Sequence, residues 1–287
     1  MLGRNTKSIT GLFFVAPGLL LIILFYVYPM VNSFVYSFTD YDLLSKPVFI
    51  GFKNYIDVFK SPDFYNSLRV SFIYVFGTVI PVWFLSFVAA YCLEEITRGS
   101  SVFRTLIFLP TVLPLVSITL IWKLILNYNG FINSSIMLPL FGKAIPWLTD
   151  VKYAPLALII TSWWHAVSYY MVLLLAGLQS IPKAYYDAAE IDGASRFKQL
   201  FFITVPVMKP TIAMVMVISI FNGFKTFSLQ QIMTQGGPAS STEVLSLFIY
   251  KTVFSYTRMG RGCAVSILFF LIILCIGIFQ LKIMGEE

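Results

Sequence analysis

Six stretches of this chain, near 12–38, 70–93, 103–126, 154–178, 208–234 and 263–284, stay apolar for roughly the 20 residues a helix needs to cross a hydrocarbon core. Polar, Gly-marked or Pro-marked segments separate them. Backbone in lipid must pair all of its own N–H and C=O groups, which leaves helices or closed barrels as the spanning structures. These runs are too long and too continuously apolar for the alternating strands of a barrel. The sequence therefore predicts an all-α, polytopic membrane protein with six transmembrane helices, a single domain over 1–287, and both termini on one side. Only 11% of the residues are charged, against about a quarter in a soluble domain, so a water-soluble globule is excluded.

Arg4 and Lys7 before an apolar run resemble the start of a signal peptide. The run is too long for a signal core and ends in no small-residue cleavage pattern, so it is expected to be an uncleaved first span. Cys92, Cys263 and Cys275 lie in or beside apolar stretches at spacings that match no metal motif, and they imply no disulfide framework. The formal net charge of +7 comes from basic residues scattered between the spans. Membrane topology explains that pattern better than nucleic acid does. Raw counting of Lys and Arg on the two sides, Arg98, Arg104, Lys183, Arg196 and Lys198 among them, does not fix the orientation. The flank of Arg4 and Lys7 favours internal termini. Pro17, Pro29, Pro81, Pro110 and Pro114 fall within spans and predict kinks.

Between the fourth and fifth stretches lies LQSIPKAYYDAAEIDGASRFKQLFFITVPVMKP, too polar for lipid. It reads as two short helices. The first runs from Ala184 to Glu190 after Pro182. Asp192 and Gly193 make the break, Asp192 or Ser195 caps the second helix, and Pro206 and Pro210 end it. Phe197, Leu200, Phe201 and Val205 give the second helix an apolar stripe. Ala188, Ala189, Gly193 and Ala194 let backbone approach another surface, rimmed by Asp187, Glu190, Asp192, Arg196 and Lys198. These are the parts of a docking element, or of an amphipathic connector in the headgroup region.

This segment, about 179–207, resembles the cytoplasmic loop of the membrane subunits of binding-protein-dependent ABC importers. Their pattern is E-A-A, three residues, G, about nine residues, then I-x-L-P. Here it stands as Asp187-Ala188-Ala189, Gly193-Ala194 and Ile203-Thr204-Val205-Pro206, with Asp for Glu and Val for Leu. Gly51-Phe52-Lys53-Asn54-Tyr55, the run RTLIFLP from Arg104, and Thr234-Gln235-Gly236-Gly237-Pro238 with Thr242 are similar to the carbohydrate branch, specifically the maltose-type and glycerol-phosphate-type first permease. The resemblance implies a multi-pass protein of a prokaryotic inner or plasma membrane with cytoplasmic termini. It also implies a second homologous permease as heterodimer partner, two ABC ATPase subunits carrying ATP and Mg, and an extracellular solute-binding protein. Asp187, Ala188, Ala189, Glu190, Asp192, Gly193 and Ala194 would couple this chain to the ATPase.

No G-x-x-x-x-G-K-[ST] phosphate loop is present, and Gly142-Lys143 lacks its flanks. The chain is thus expected to be a transport subunit rather than an enzyme, with no catalytic residue, metal or cofactor of its own. A solute path needs polar groups aligned on a membrane helix. Ser219, Asn222, Gly223, Thr226 and Gln230 recur at helical spacing in the fifth stretch. In the fourth stretch Thr161, His165 and Ser168 or Tyr169 do the same, beside Trp163 and Trp164. Such groups also hold helices together in lipid. The family's contacts on that stretch would fall near His165, Ala166 and Tyr169. Lys225 is unusual at membrane depth and either pairs with a partner's acid or snorkels. Rival readings are a permease for a non-carbohydrate solute and a secondary transporter.

Overall fold

The computed structural model describes residues 14–96 and 99–284. Arg4, Lys7, the first residues of the 12–38 stretch and Arg98 lie outside them. Among the described residues five helices are long and apolar enough to span a membrane: Phe14–Tyr36, Pro62–Glu94, Tyr153–Gln179, Lys209–Met233 and Met259–Lys282. We number the helices used below as α1 (Phe14–Tyr36), α2 (Lys53–Phe59), α3 (Pro62–Glu95), α4 (Ser100–Val112), α5 (Leu115–Ile125), α6 (Tyr153–Gln179), α7 (Lys183–Ile191), α8 (Arg196–Gln199), α9 (Lys209–Phe224), α10 (Ser228–Met233) and α11 (Met259–Met284).

The third apolar stretch is not one straight helix. α4 and α5 meet at 96°. A residue before proline is driven out of the helical region, and Leu113, before Pro114, is extended with ψ 142°. α5 then restarts with Pro114 in the N-cap position. The six-helix expectation becomes five long helices plus this bent pair.

Other prolines are absorbed by wide π-turns. Ile23–Val27, Asn133–Met137 and Leu200–Thr204 each end two residues before a proline: Pro29, Pro139 and Pro206. Proline offers no N–H and its ring crowds the carbonyl four residues back. Widening the turn lets the residue ahead of it donate one position further, as Tyr28 does to Ile23, Leu138 to Asn133 and Val205 to Leu200. Helical backbone thus continues through Pro206 to Val207, correcting the expectation that Pro206 ends it.

The chain divides into two compact units, 1–64 with 248–272, and 65–247 with 273–287. In the first, strands β1 (Thr39–Asp40) and β2 (Val48–Phe49) pair antiparallel. Gly51 makes the return to α2 with a positive φ of 59°. Buried Asn54 donates from Nδ2 to the carbonyls of Ser37 at 3.0 Å and Thr39 at 2.8 Å. Tyr55 Oη lies 2.7 Å from Ser37 Oγ. The GFKNY string is thus the clasp of this hairpin. Every residue scored in α1's apolar window is unburied, which suits a helix presented to lipid or to another membrane chain.

In the second unit, α3, α6 and α9 pack around a core that includes Leu93, Met171, Leu174 and Met208. Small residues bring these helices close, as expected where packing rather than hydrophobicity drives association. A Cβ on Gly77 of α3 would stand 2.8 Å from Ile159, and one on Gly177 of α6 would stand 2.7 Å from Thr211. Trp163 donates from Nε1 to the Gly77 carbonyl at 2.9 Å. Lys123 Nζ reaches the Ile232 carbonyl at 2.7 Å, a cation at the negative end of α10.

Candidate functional site

Within the second unit a cavity of about 450 Å³ opens between α3, the α4–α5 bend, α6 and the α9–α10 break. His165, Tyr169, Ser219, Asn222, Gly223 and Thr226 all line it. The helix that carries the last four is not continuous. α9 ends at Phe224, Lys225 closes it, and α10 begins only at Ser228, so the helical hydrogen bonding of the 208–234 stretch is interrupted at 225–227. Thr226 lines the cavity, and Gln230 does not. Gln230 is fully buried and lines a separate void of about 50 Å³.

Lining residues differ in what remains free. Ser219 is buried, donates to the Met216 carbonyl at 2.9 Å and accepts from Trp83 Nε1 at 2.6 Å. Gly223 provides close approach: a Cβ there would meet Val79 at 3.3 Å and Val75 at 3.4 Å. Thr226 Oγ1 donates to Gln230 Oε1 at 3.0 Å and lies 3.4 Å from Tyr74 Oη, which is 2.6 Å from Ser162 Oγ. This chain of hydroxyls ties α3, α6 and α10 across one end of the cavity. Asn222 is exposed to the cavity and donates from Nδ2 to Tyr170 Oη at 3.1 Å. His165 is half-buried, and Tyr169 is exposed with its ring edge against Tyr170.

Tyr74, Trp83, Ser162 and Tyr170 escaped the sequence reading. Tyr74 and Thr78 sit four apart on α3, flanking Gly77, which is the pattern that would have marked this face. The neighbouring tryptophans line no part of the cavity. Trp163 serves the Gly77 contact, and Trp164 packs edge-on to Trp122 at 5.8 Å. Among the described residues no group of three or more His, Cys, Asp or Glu is placed to hold a metal ion.

The 179–207 segment forms a helical hairpin. α7 ends on a Schellman motif, in which Gly193 takes φ +71° and donates to the Glu190 carbonyl at 3.0 Å, while Ala194 donates to Ala189 at 2.8 Å. The backbones of Ala189 and Ala194 close this turn and both residues are half-buried, while Asp187, Ala188, Glu190 and Asp192 are exposed. Ser195 occupies the N-cap of α8 but makes no side-chain cap bond, and Asp192 is the C-cap of α7. Tyr186 Oη, 2.9 Å from Thr204 Oγ1, braces the two arms. Gln199 is buried and donates to the Ala194 carbonyl at 3.3 Å. Ile191, Phe197 and Phe202 project outward, 87%, 71% and 79% exposed; patches of this kind mark interaction surfaces. Of these, only Phe197 belongs to the stripe read from the sequence.

The model for "Binding-protein-dependent transport system inner membrane component" matches residues 83–283. The lactose transport system permease protein LacF of Rhizobium radiobacter is 33% identical over 258 residues, 88% of this chain and 86% of that protein. The trehalose/maltose transport system permease protein MalF of Thermococcus litoralis is 30% identical over 276 residues, covering 95% and 92%. Among solved structures, a bacterial ABC transporter involved in the import of the acidic polysaccharide alginate shares the fold, with a TM-score of 0.87, 20% identity and 99% coverage of both chains. With the family model spanning residues 83–283 and relatives matching over most of both lengths, this chain belongs to the binding-protein-dependent transport system inner membrane components.

Proposed function

We propose that this chain is one permease subunit of an ATP-driven importer for a sugar, oligosaccharide or sugar derivative. It pairs with a second, homologous permease in a prokaryotic cell membrane, with its termini in the cytoplasm. A solute-binding protein delivers the solute from outside. Two ATPase subunits hold ATP and Mg, and the hairpin over 187–206 receives their motion, its exposed Ile191, Phe197 and Phe202 seated in the ATPase surface. Sugar permeases among the relatives support the solute class.

The observation that carries this reading is the single cavity shared by His165, Tyr169, Asn222 and Thr226. Amides and hydroxyls there can hydrogen-bond a sugar, and an aromatic face can lie against its C–H surface. Polar groups that faced lipid would be costly, and a cavity is where they belong. The test is uptake by the assembled transporter. Asn222→Ala combined with Thr226→Ala weakens uptake while the ATPase still copurifies; transport with unchanged kinetics removes both residues from the path.

A further inference from the structure

A lysine at membrane depth is held only where its charge meets a counter-charge, water or a protein cavity. Lys225 lies sixteen residues beyond Lys209, about 24 Å along a helix rising 1.5 Å per residue, and it lines the cavity. Its backbone N–H is engaged by the Gly223 and Phe221 carbonyls, while its side chain is exposed. Among the described residues that line the cavity there are His165 and Lys225 but no Asp or Glu. None of the hydrogen bonds recorded among the described residues engages the Lys225 ammonium.

The carboxyl end of α9 favours a cation, but a helix end carries only about half an elementary charge. An anion that enters the cavity can supply the rest. Asn222 and Thr226 beside it supply neutral hydrogen-bonding groups suited to hydroxyls. We infer that the solute is an acidic saccharide, and that Lys225 pairs with its carboxylate as it passes. This deepens the saccharide reading above and rests on it. A lysine suits the task because its ammonium is a compact charge on a flexible stem, able to follow one carboxylate without fixing it in the bidentate geometry of an arginine. A carboxylate crossing this low-dielectric region also needs such a partner, since burying it unpaired is prohibitive.

The experiment uses the complete transporter, with its second permease, ATPase and binding protein, in proteoliposomes. Two matched disaccharides are offered, one of hexuronic acid and one of the corresponding neutral hexose. The acidic sugar is taken up in preference. Lys225→Gln raises its half-saturation concentration by at least about tenfold, as expected for loss of a charge-assisted bond, while Lys225→Arg retains most of the affinity. Preference for the neutral sugar, or equal losses for both sugars in Lys225→Gln, overturns the inference and leaves the saccharide reading standing. Loss of the second permease from purified Lys225→Gln complexes places the counter-charge on that subunit and overturns it equally. Uptake of neither sugar by a complex whose ATPase still responds to its binding protein removes the saccharide reading and this inference together.

Discussion

The N–H of Ala194 donates to the carbonyl of Ala189 at 2.8 Å across a turn whose corner is Gly193 at φ +71°. This turn explains Gly193 differently from a close approach to another surface. Ala189 and Ala194 face one another across the Schellman turn, and nothing lies within 4 Å of where a Gly193 Cβ would be. Glycine is required there by backbone angle rather than by crowding.

Gly193→Val and Gly193→Asn separate the two explanations. A branched side chain in the left-handed region costs about 1–2 kcal/mol, whereas asparagine enters that region with much less strain. Gly193→Val therefore lowers uptake and ATPase copurification sharply, and Gly193→Asn keeps most of both. Equal loss in the two variants would mean that the docked surface, not the turn, demands a bare backbone.

Removal of the Tyr186–Thr204 brace should loosen the hairpin without touching its exposed face. Tyr186→Phe and Thr204→Val each cost about 1 kcal/mol, the usual net value of such a bond. Because the two hydroxyls share that contact, the double variant costs little more than Thr204→Val, which also loses the 3.4 Å bond from its hydroxyl to the Gln199 carbonyl. Thermal unfolding of the four proteins gives the cycle; simple additivity would show that the hydroxyls act independently.

Apolar stretches were legible because length and hydropathy alone decide what lipid accepts, and Asp192-Gly193 was legible because few dipeptides break a helix so clearly. The 96° bend at Leu113 and Pro114 was not, since a proline announces a disruption but neighbouring helices set its angle. The break at Lys225–Phe227 carries no proline or glycine of its own, and no local signal marks it. Helical spacing put Ser219, Asn222, Thr226 and Gln230 on one face. It could not tell that Ser219 would be taken by Trp83, or that Gln230 would lie outside the cavity. Those outcomes depend on what α3 and α6 present, and α3's contribution from Tyr74 and Trp83 lies more than a hundred residues away in sequence.

The hairpin clasp in the first unit predicts a severe and local defect. A Cβ on Gly260 would collide with the Thr39 carbonyl oxygen, and the Gly260 N–H donates to the Tyr41 carbonyl at 3.0 Å. Neither backbone can yield without breaking the other's bonds. Gly260→Ala therefore destabilises by about 3 kcal/mol or more, read as loss of folded, membrane-extracted protein. Gly18→Ala is the control: its Cβ meets nothing within 4 Å, and alanine in a helix interior is neutral or stabilising by up to about 1 kcal/mol.

Tyr74 and Asn222 both line the cavity, yet they should answer differently to mutation. Tyr74 is 8% exposed, and its hydroxyl is occupied by Ser162 and Thr226. Tyr74→Phe takes one partner from each of two groups that keep another, Ser162 on the Leu158 carbonyl and Thr226 on Gln230, a loss of about 1 kcal/mol per bond. Asn222 is exposed to the cavity, and its amide oxygen accepts no hydrogen bond recorded among the described residues. Asn222→Ala removes a group available to the solute while leaving the packing of α9 nearly unchanged. The expected pattern is a lower melting temperature with little change in half-saturation for Tyr74→Phe, and the reverse for Asn222→Ala. Melting curves and uptake kinetics on the same two preparations decide it. A raised half-saturation in Tyr74→Phe at unchanged stability would move the solute contact onto α3.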